Sequence, residues 1–262
     1  MRTMRVREPA VAGLFYPADP DELRIAVEQA LAGAAAGPVP KAIVAPHAGY
    51  AYSAPVAASA YARVAPARGR VSRVVLLGPA HRAPVRAVAA SSANAFATPL
   101  GLVRVDVERR DALVDAGLVV VRDDAHAGEH SLEVHLPFLQ VALGDVAVLP
   151  LAVGHIDARQ VADVLEALWG DDRTLVVVST DLSHYHDHHT ATGLDRRTAA
   201  AVVARRPEQL GPYDACGVVA LQGLLVAATL HDLQVELLDL RTSADTAGDP
   251  GRVGGYGAFA LA

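Results

Sequence analysis

One local pattern recurs along the chain and limits what it can fold into. A compact apolar run too short for a helix is followed by Pro, Gly or a small polar residue, and then by His or Asp. Lys-Ala-Ile-Val-Ala-Pro runs into His47, Val-Val-Leu-Leu-Gly-Pro-Ala into His81, and Thr-Leu-Val-Val-Val-Ser-Thr into Asp181 and His184. Such runs lack the polar alternation of a half-solvated strand, so they read as strands buried on both faces. Ala-Val-Leu-Pro-Leu-Ala-Val-Gly (147–154) reads as another strand.

The segments between them carry helical period. A helix is expected over 17–33, capped by Asp19 or Asp21 and stopped by Gly33. Further helices are expected over 53–65, 157–170, 192–206 and 214–231, the last with Cys216 at its start. Residues 96–117 read as a short strand pair followed by a helix, 126–144 as a loop leading into a helix that Ser131 caps, and 235–245 and 254–262 as closing strands. Strands alternating with helices imply an α/β sheet covered on both faces, in which ligands collect beyond the carboxyl ends of the strands. A length of 262 residues without internal repeat fits a single domain over 1–262. With 52% hydrophobic but only 5% aromatic residues, its core must be built from Ala, Val and Leu.

A net charge of −6 gives no basic field for nucleic acid or an anionic membrane, so neither is an expected partner. No stretch has the apolar length of a membrane span and the N-terminus has no signal-like apolar run, which points to the cytoplasm. The single cysteine rules out an internal disulfide.

The strand ends supply the candidate chemistry. His47, His81 and His184 belong to separate strand ends, and convergence from separate segments is what a metal site requires. Cys216, at the start of an apolar helix, is either a thiolate ligand stabilised by the helix dipole or a buried small hydrophobe. Asp181 and His184, three apart, would share a face if that segment turned helically. His186, His188 and His189 read as a solvated loop. Glu129, His130 and Glu133 form a second polar cluster, in which either His130 and Glu133 share a helical face and support the site from behind, or Glu133 is an ordinary surface carboxylate. Tyr50 and Tyr52 flank His47 and either line a pocket or pack in the core.

The segments REPAVAGLFYP, APHAGYAYSAPVAASAY, LLGPAHR, FATPLG, EHSLEVHLPFLQ, STDLSHY and DACG resemble, in order and in chemistry, the MEMO family, known in prokaryotes as AmmeMemoRadiSam system protein B. The resemblance spans nearly the whole chain. It implies a three-layer α/β/α sandwich with a mixed, mostly parallel central sheet, like that of the class III extradiol dioxygenases, which hold non-haem Fe(II) on two His and one carboxylate. Carried over by motif, His47, His81 and Cys216 match the family's metal-ligand positions. Asp181 and His184 match the neighbouring polar pair, with His184 as the acid or base. The resemblance implies a divalent or redox metal, Fe(II) first, with Cu or Zn as the alternatives that Cys216 favours by putting a thiolate where the dioxygenases have a carboxylate. The expected function is a metal-dependent, dioxygenase-like oxidoreductase acting on a small aromatic substrate. The alternatives are an adaptor that binds a peptide segment or a partner of the radical-SAM system, and a metallohydrolase.

Overall fold

A computed structural model describes residues 4–262. In chain order the elements are β1 (Val6–Arg7), α1 (Pro20–Ala32), β2 (Ala42–Ala45), α2 (Tyr50–Val64), β3 (Arg73–Pro79), β4 (Val88–Ala90), β5 (Ala95–Thr98) and β6 (Gly101–Arg104). They continue with α3 (Val107–Asp115), β7 (Val120–Val121), α4 (Asp124–Ala127), α5 (Leu136–Leu143), β8 (Ala147–Val153) and α6 (Ala158–Leu168). The last are β9 (Thr174–Ser179), β10 (His184–His186), α7 (His188–Val203), α8 (Val218–Leu230), β11 (Val235–Thr242) and β12 (Val253–Leu261).

The apolar runs are buried strands, as their composition requires. β2, β9, β3 and β8 lie side by side and parallel at the centre of a sheet ordered β10-β12-β2-β9-β3-β8-β4-β7, with β11 on the outer side of β12. Antiparallel pairings flank this parallel centre: β12 with β2, β10 and β11 on one side, β4 with β8 on the other.

Alternate side chains of each central strand enter different cores. Ile43, Leu76 and Val177 pack with α1, α2 and α5, whereas Val44, Leu77 and Val178 pack with α6, α7 and α8. Two apolar layers on a two-faced apolar sheet make the expected α/β/α sandwich with a mixed sheet. No helix among the described residues is long and apolar enough to cross a membrane.

Several element boundaries differ from the sequence reading. The helix expected from Ser53 starts at Tyr50, because Gly49 forms the cap and the Ser53 hydroxyl donates to Ala48 O (2.8 Å) within the first turn. His188 and His189 open α7 behind the Asp187 cap instead of forming a loop. Ser131 caps nothing: its hydroxyl donates to Pro79 O (2.8 Å). Cys216 precedes α8, whose cap is Gly217. A small sheet, β1-β5-β6, pairs Val6 with Ala95, a contact that two-residue strands do not announce locally.

Strand register is what positions the site. Ala45 pairs with Ser179, so His47 and Asp181 each stand two residues past the same rung of the ladder. Pro79 pairs with Val153, so His81 and His155 do likewise. Four adjacent parallel strands thus end in titratable side chains at one edge.

Candidate metal centre

His47 is buried, and its two ring nitrogens have distinct surroundings. Ser179 Oγ donates its only proton to Ser131 O (2.6 Å), so at 2.6 Å from His47 Nδ1 it must accept. Nδ1 therefore carries the proton and Nε2 presents a lone pair. The main-chain amide of His47 donates to Asp181 Oδ1 (2.7 Å), which fixes the loop after β2. Burial, reinforced by the neighbouring His81 and His130, pushes the His47 pKa well below the usual imidazole value, so the ring stays neutral.

His81 is set by Glu129. The carboxylate accepts from His81 Nδ1 (3.0 Å) and from the amides of His81 (2.6 Å), His130 (2.9 Å) and Ser131 (2.9 Å). Burial alone would raise its pKa, but the His81 and Ser131 hydrogen bonds prevail and hold it at about 2. An ionised carboxylate can only accept, so His81 Nδ1 is a donor and its Nε2 is free.

Cys216 closes the group. Its amide donates to Asp181 O (3.2 Å), while the Asp181 amide points at Sγ (3.3 Å), stitching the loop before α8 to the end of β9. A Cβ on Gly217 would lie 2.6 Å from Ser179 O, so only glycine lets this loop approach so closely. Sγ lies 3.3 Å from His47 Nε2. Donor atoms of His47, His81 and Cys216 all fall within 4.8 Å of one another.

The helix dipole does not ionise the thiol here. Burial and the nearby Asp181 push it up to about 12, so a cation must displace its proton. A second trio, His81, Glu129 and His130, meets the same spacing. Both Glu129 oxygens already accept, however, Oε1 from three donors and Oε2 from the His81 amide, so this trio serves as the scaffold behind the first.

The other predicted residues divide. His184 Nε2 sits 3.9 Å from Asp181 Oδ2, brought there by an irregular turn and β10 instead of a helical face. Burial raises the Asp181 pKa, with the facing His184 opposing it. The His130 ring stacks on His81 (4.8 Å, 15°) and also touches His47 and Phe15.

Glu133 does not share a face with His130. It is buried away from the histidines, accepting from the Ala10 and Val11 amides and the Tyr16 hydroxyl and paired with Arg7. Tyr50 is core, its hydroxyl donating to Val134 O (2.7 Å) and its ring between Tyr16 and Phe138. Tyr52, two residues on and so on the opposite side of α2, is exposed.

Two residues that the sequence reading passed over belong to the site. Ser179 orients His47 but is buried inside an apolar run. His155 follows β8 as His81 follows β3, so the strand-end pattern already carried its signal.

Fold and site define a class: an α/β sheet protein with a His, His, Cys donor set at the carboxyl edge of its parallel strands. Over residues 7–260 the chain matches the family model described as Memo-like protein. It is 39% identical to a MEMO1 family protein of Methanopyrus kandleri, covering 97% of this chain and 98% of that one. A MEMO1 family protein of Aquifex aeolicus is 36% identical over 97% and 98% of the two chains. The chain belongs to the MEMO family. Its fold is shared, at a TM-score of 0.54 and 14% identity, with the solved structure of an uncharacterized Escherichia coli K12 protein, covering 84% of this chain and 98% of that one.

Proposed function

We propose that this chain is a metal-dependent oxidoreductase whose ion is held by His47 Nε2, His81 Nε2 and Cys216 Sγ. The observation that carries the reading is the proton placement: Ser179 and Glu129 occupy the two Nδ1 positions and leave both Nε2 lone pairs free, that of His47 3.3 Å from the thiol, within a group whose donor atoms lie within 4.8 Å of one another. Surface histidines have no need of such locking, whereas ligands do. Two imidazoles and one anionic donor suit Fe(II), with Cu or Zn favoured by the soft sulfur. When bound, such an ion supplies Lewis acidity and, for Fe or Cu, one-electron chemistry.

The chain's own residues supply the proton handling. His184, partly exposed beside the centre, takes the proton from a substrate hydroxyl at Nε2. Asp181 faces that nitrogen and stabilises the imidazolium, while its other oxygen holds the His47 amide. A peptide-binding rim on Tyr50 and Tyr52 draws less support, because Tyr50 is packed in the core.

Elemental analysis of protein purified without chelator or affinity metal tests the ligand set. Stoichiometric metal in the parent, lost in Cys216→Ser and His81→Ala, is expected; metal content unchanged in both variants would overturn it. Turnover is tested by anaerobic reconstitution with Fe(II) and a catechol panel under O₂. Absence of oxygen uptake with every member removes the oxidoreductase reading.

A further inference from the structure

A cavity of about 340 Å³ opens beside the proposed ligands, walled by His81 and Cys216 on one side and by His155, Val153, Pro212, Val218 and Val219 on the others. That volume takes a molecule of roughly one substituted ring. His155 is the residue of this wall that neither the ligand set nor the proton relay uses.

Its backbone is fixed. The His155 amide donates to Val85 O (2.9 Å) and the Gly154 amide to Ala87 O (3.0 Å). A Cβ on Gly154 would lie 2.1 Å from Val85 O, so glycine is required for this close passage. The imidazole, in contrast, makes no hydrogen bond to any described residue and is exposed at the cavity. A fixed backbone with a free polar side chain facing a cavity is a preorganised contact that lacks its partner.

The lining also selects charge. Among the described residues no Asp, Glu, Lys or Arg lines the cavity, and its floor is the start of α8, where Gly217 caps without a side-chain hydrogen bond. The positive end of that helix favours a negative group over an ammonium.

We propose that His155 is a specificity-determining residue that holds the anionic end of a small, otherwise apolar substrate while the other end reaches His81 and Cys216. The inference rests on the metal-centre reading for what lies at that far end. The ligand class is a monoanion of about one ring, such as an aromatic carboxylate.

Benzoate and benzylamine serve as probes, titrated by ligand-observed NMR into metal-free and metal-loaded protein, with metal content measured separately. Benzoate is expected to bind and benzylamine to bind at least roughly tenfold more weakly. His155→Leu should weaken benzoate roughly tenfold or more at unchanged metal content and melting temperature, and His155→Gln, which keeps a donor, should recover much of the loss. No benzoate binding, equal affinity in His155→Leu, equal affinity for benzylamine, or loss of metal from His155→Leu would each overturn the assignment. A parent protein without metal would instead sink the metal-centre reading, and benzoate binding to the metal-free protein still decides the role of His155.

Discussion

Glu129 and Glu133 are buried carboxylates four residues apart in one segment, and they serve two regions in opposite ways. Glu129 is encircled by donors from the site's own loops, and one of these donors, His81, keeps its second nitrogen free. Glu133 binds a guanidinium, two amides and a phenol, all from residues 7–16, and leaves none of them reactive. One carboxylate tensions a reactive group; the other fastens the N-terminal segment to the body. The difference teaches that a buried carboxylate acquires a functional role only when a partner retains an open valence. The histidines repeat the contrast: His130 stacks at the site, whereas His135 turns into the α1/α2/α5 layer and meets the Tyr61 hydroxyl (2.9 Å).

The largest expected effect tests the fastening role. Glu133→Ala leaves Arg7 buried without its anion and should cost about 3–5 kcal/mol in denaturant unfolding. Metal per folded chain should stay unchanged, and metal loss at full stability would erase the distinction drawn between the two carboxylates.

Glu129→Gln should do the reverse. Metal affinity falls about 10–100-fold, read by competition with a chelator, because an amide NH2 replaces the oxygen that accepts from the His81 main chain and the negative charge that polarises its imidazole is lost. If affinity holds, Glu129 is a structural residue like Glu133.

The last effect is pH-dependent, and per pH unit and per group it is the smallest. Burial lowers the His135 pKa to about 3 and, with smaller opposing contributions, that of His126 to about 4. Both stay neutral in the folded protein down to those values, while the unfolded chain binds their protons below the ordinary value of about 6.5. The unfolded state therefore binds more protons between about pH 6.5 and 4, and stability falls as pH drops through that window. Each group adds a slope of up to about 1.4 kcal/mol per pH unit. Unfolding free energies of His135→Gln across this range should show a flatter slope than the parent, and an identical slope would mean that His135 titrates normally in the fold.

The central strands were legible because burial on both faces writes itself as an uninterrupted Val, Ile and Leu run, and the helix over 20–32 because Asp19 caps it within four residues. Tyr50 and Glu133 were not. Whether a tyrosine that directly follows a loop faces a pocket or the core depends on where the helix starts, and Gly49 moved that start by about a turn. The partner of Glu133 is Arg7, 126 residues away, and nothing local marks it.

By itself the sequence determined the layered α/β class and the strand-end placement of His47, His81 and Asp181, because both follow from short-range hydrophobic period and from chain breakers next to polar residues. Only the tertiary structure decided that these ends lie on adjacent parallel strands in register, that Ser179 and Glu129 hold the Nδ1 atoms of two imidazoles brought together with Cys216, and that His155 faces the same cavity. Those outcomes depend on strand order and on hydrogen bonds between residues far apart in the chain, which no local pattern encodes.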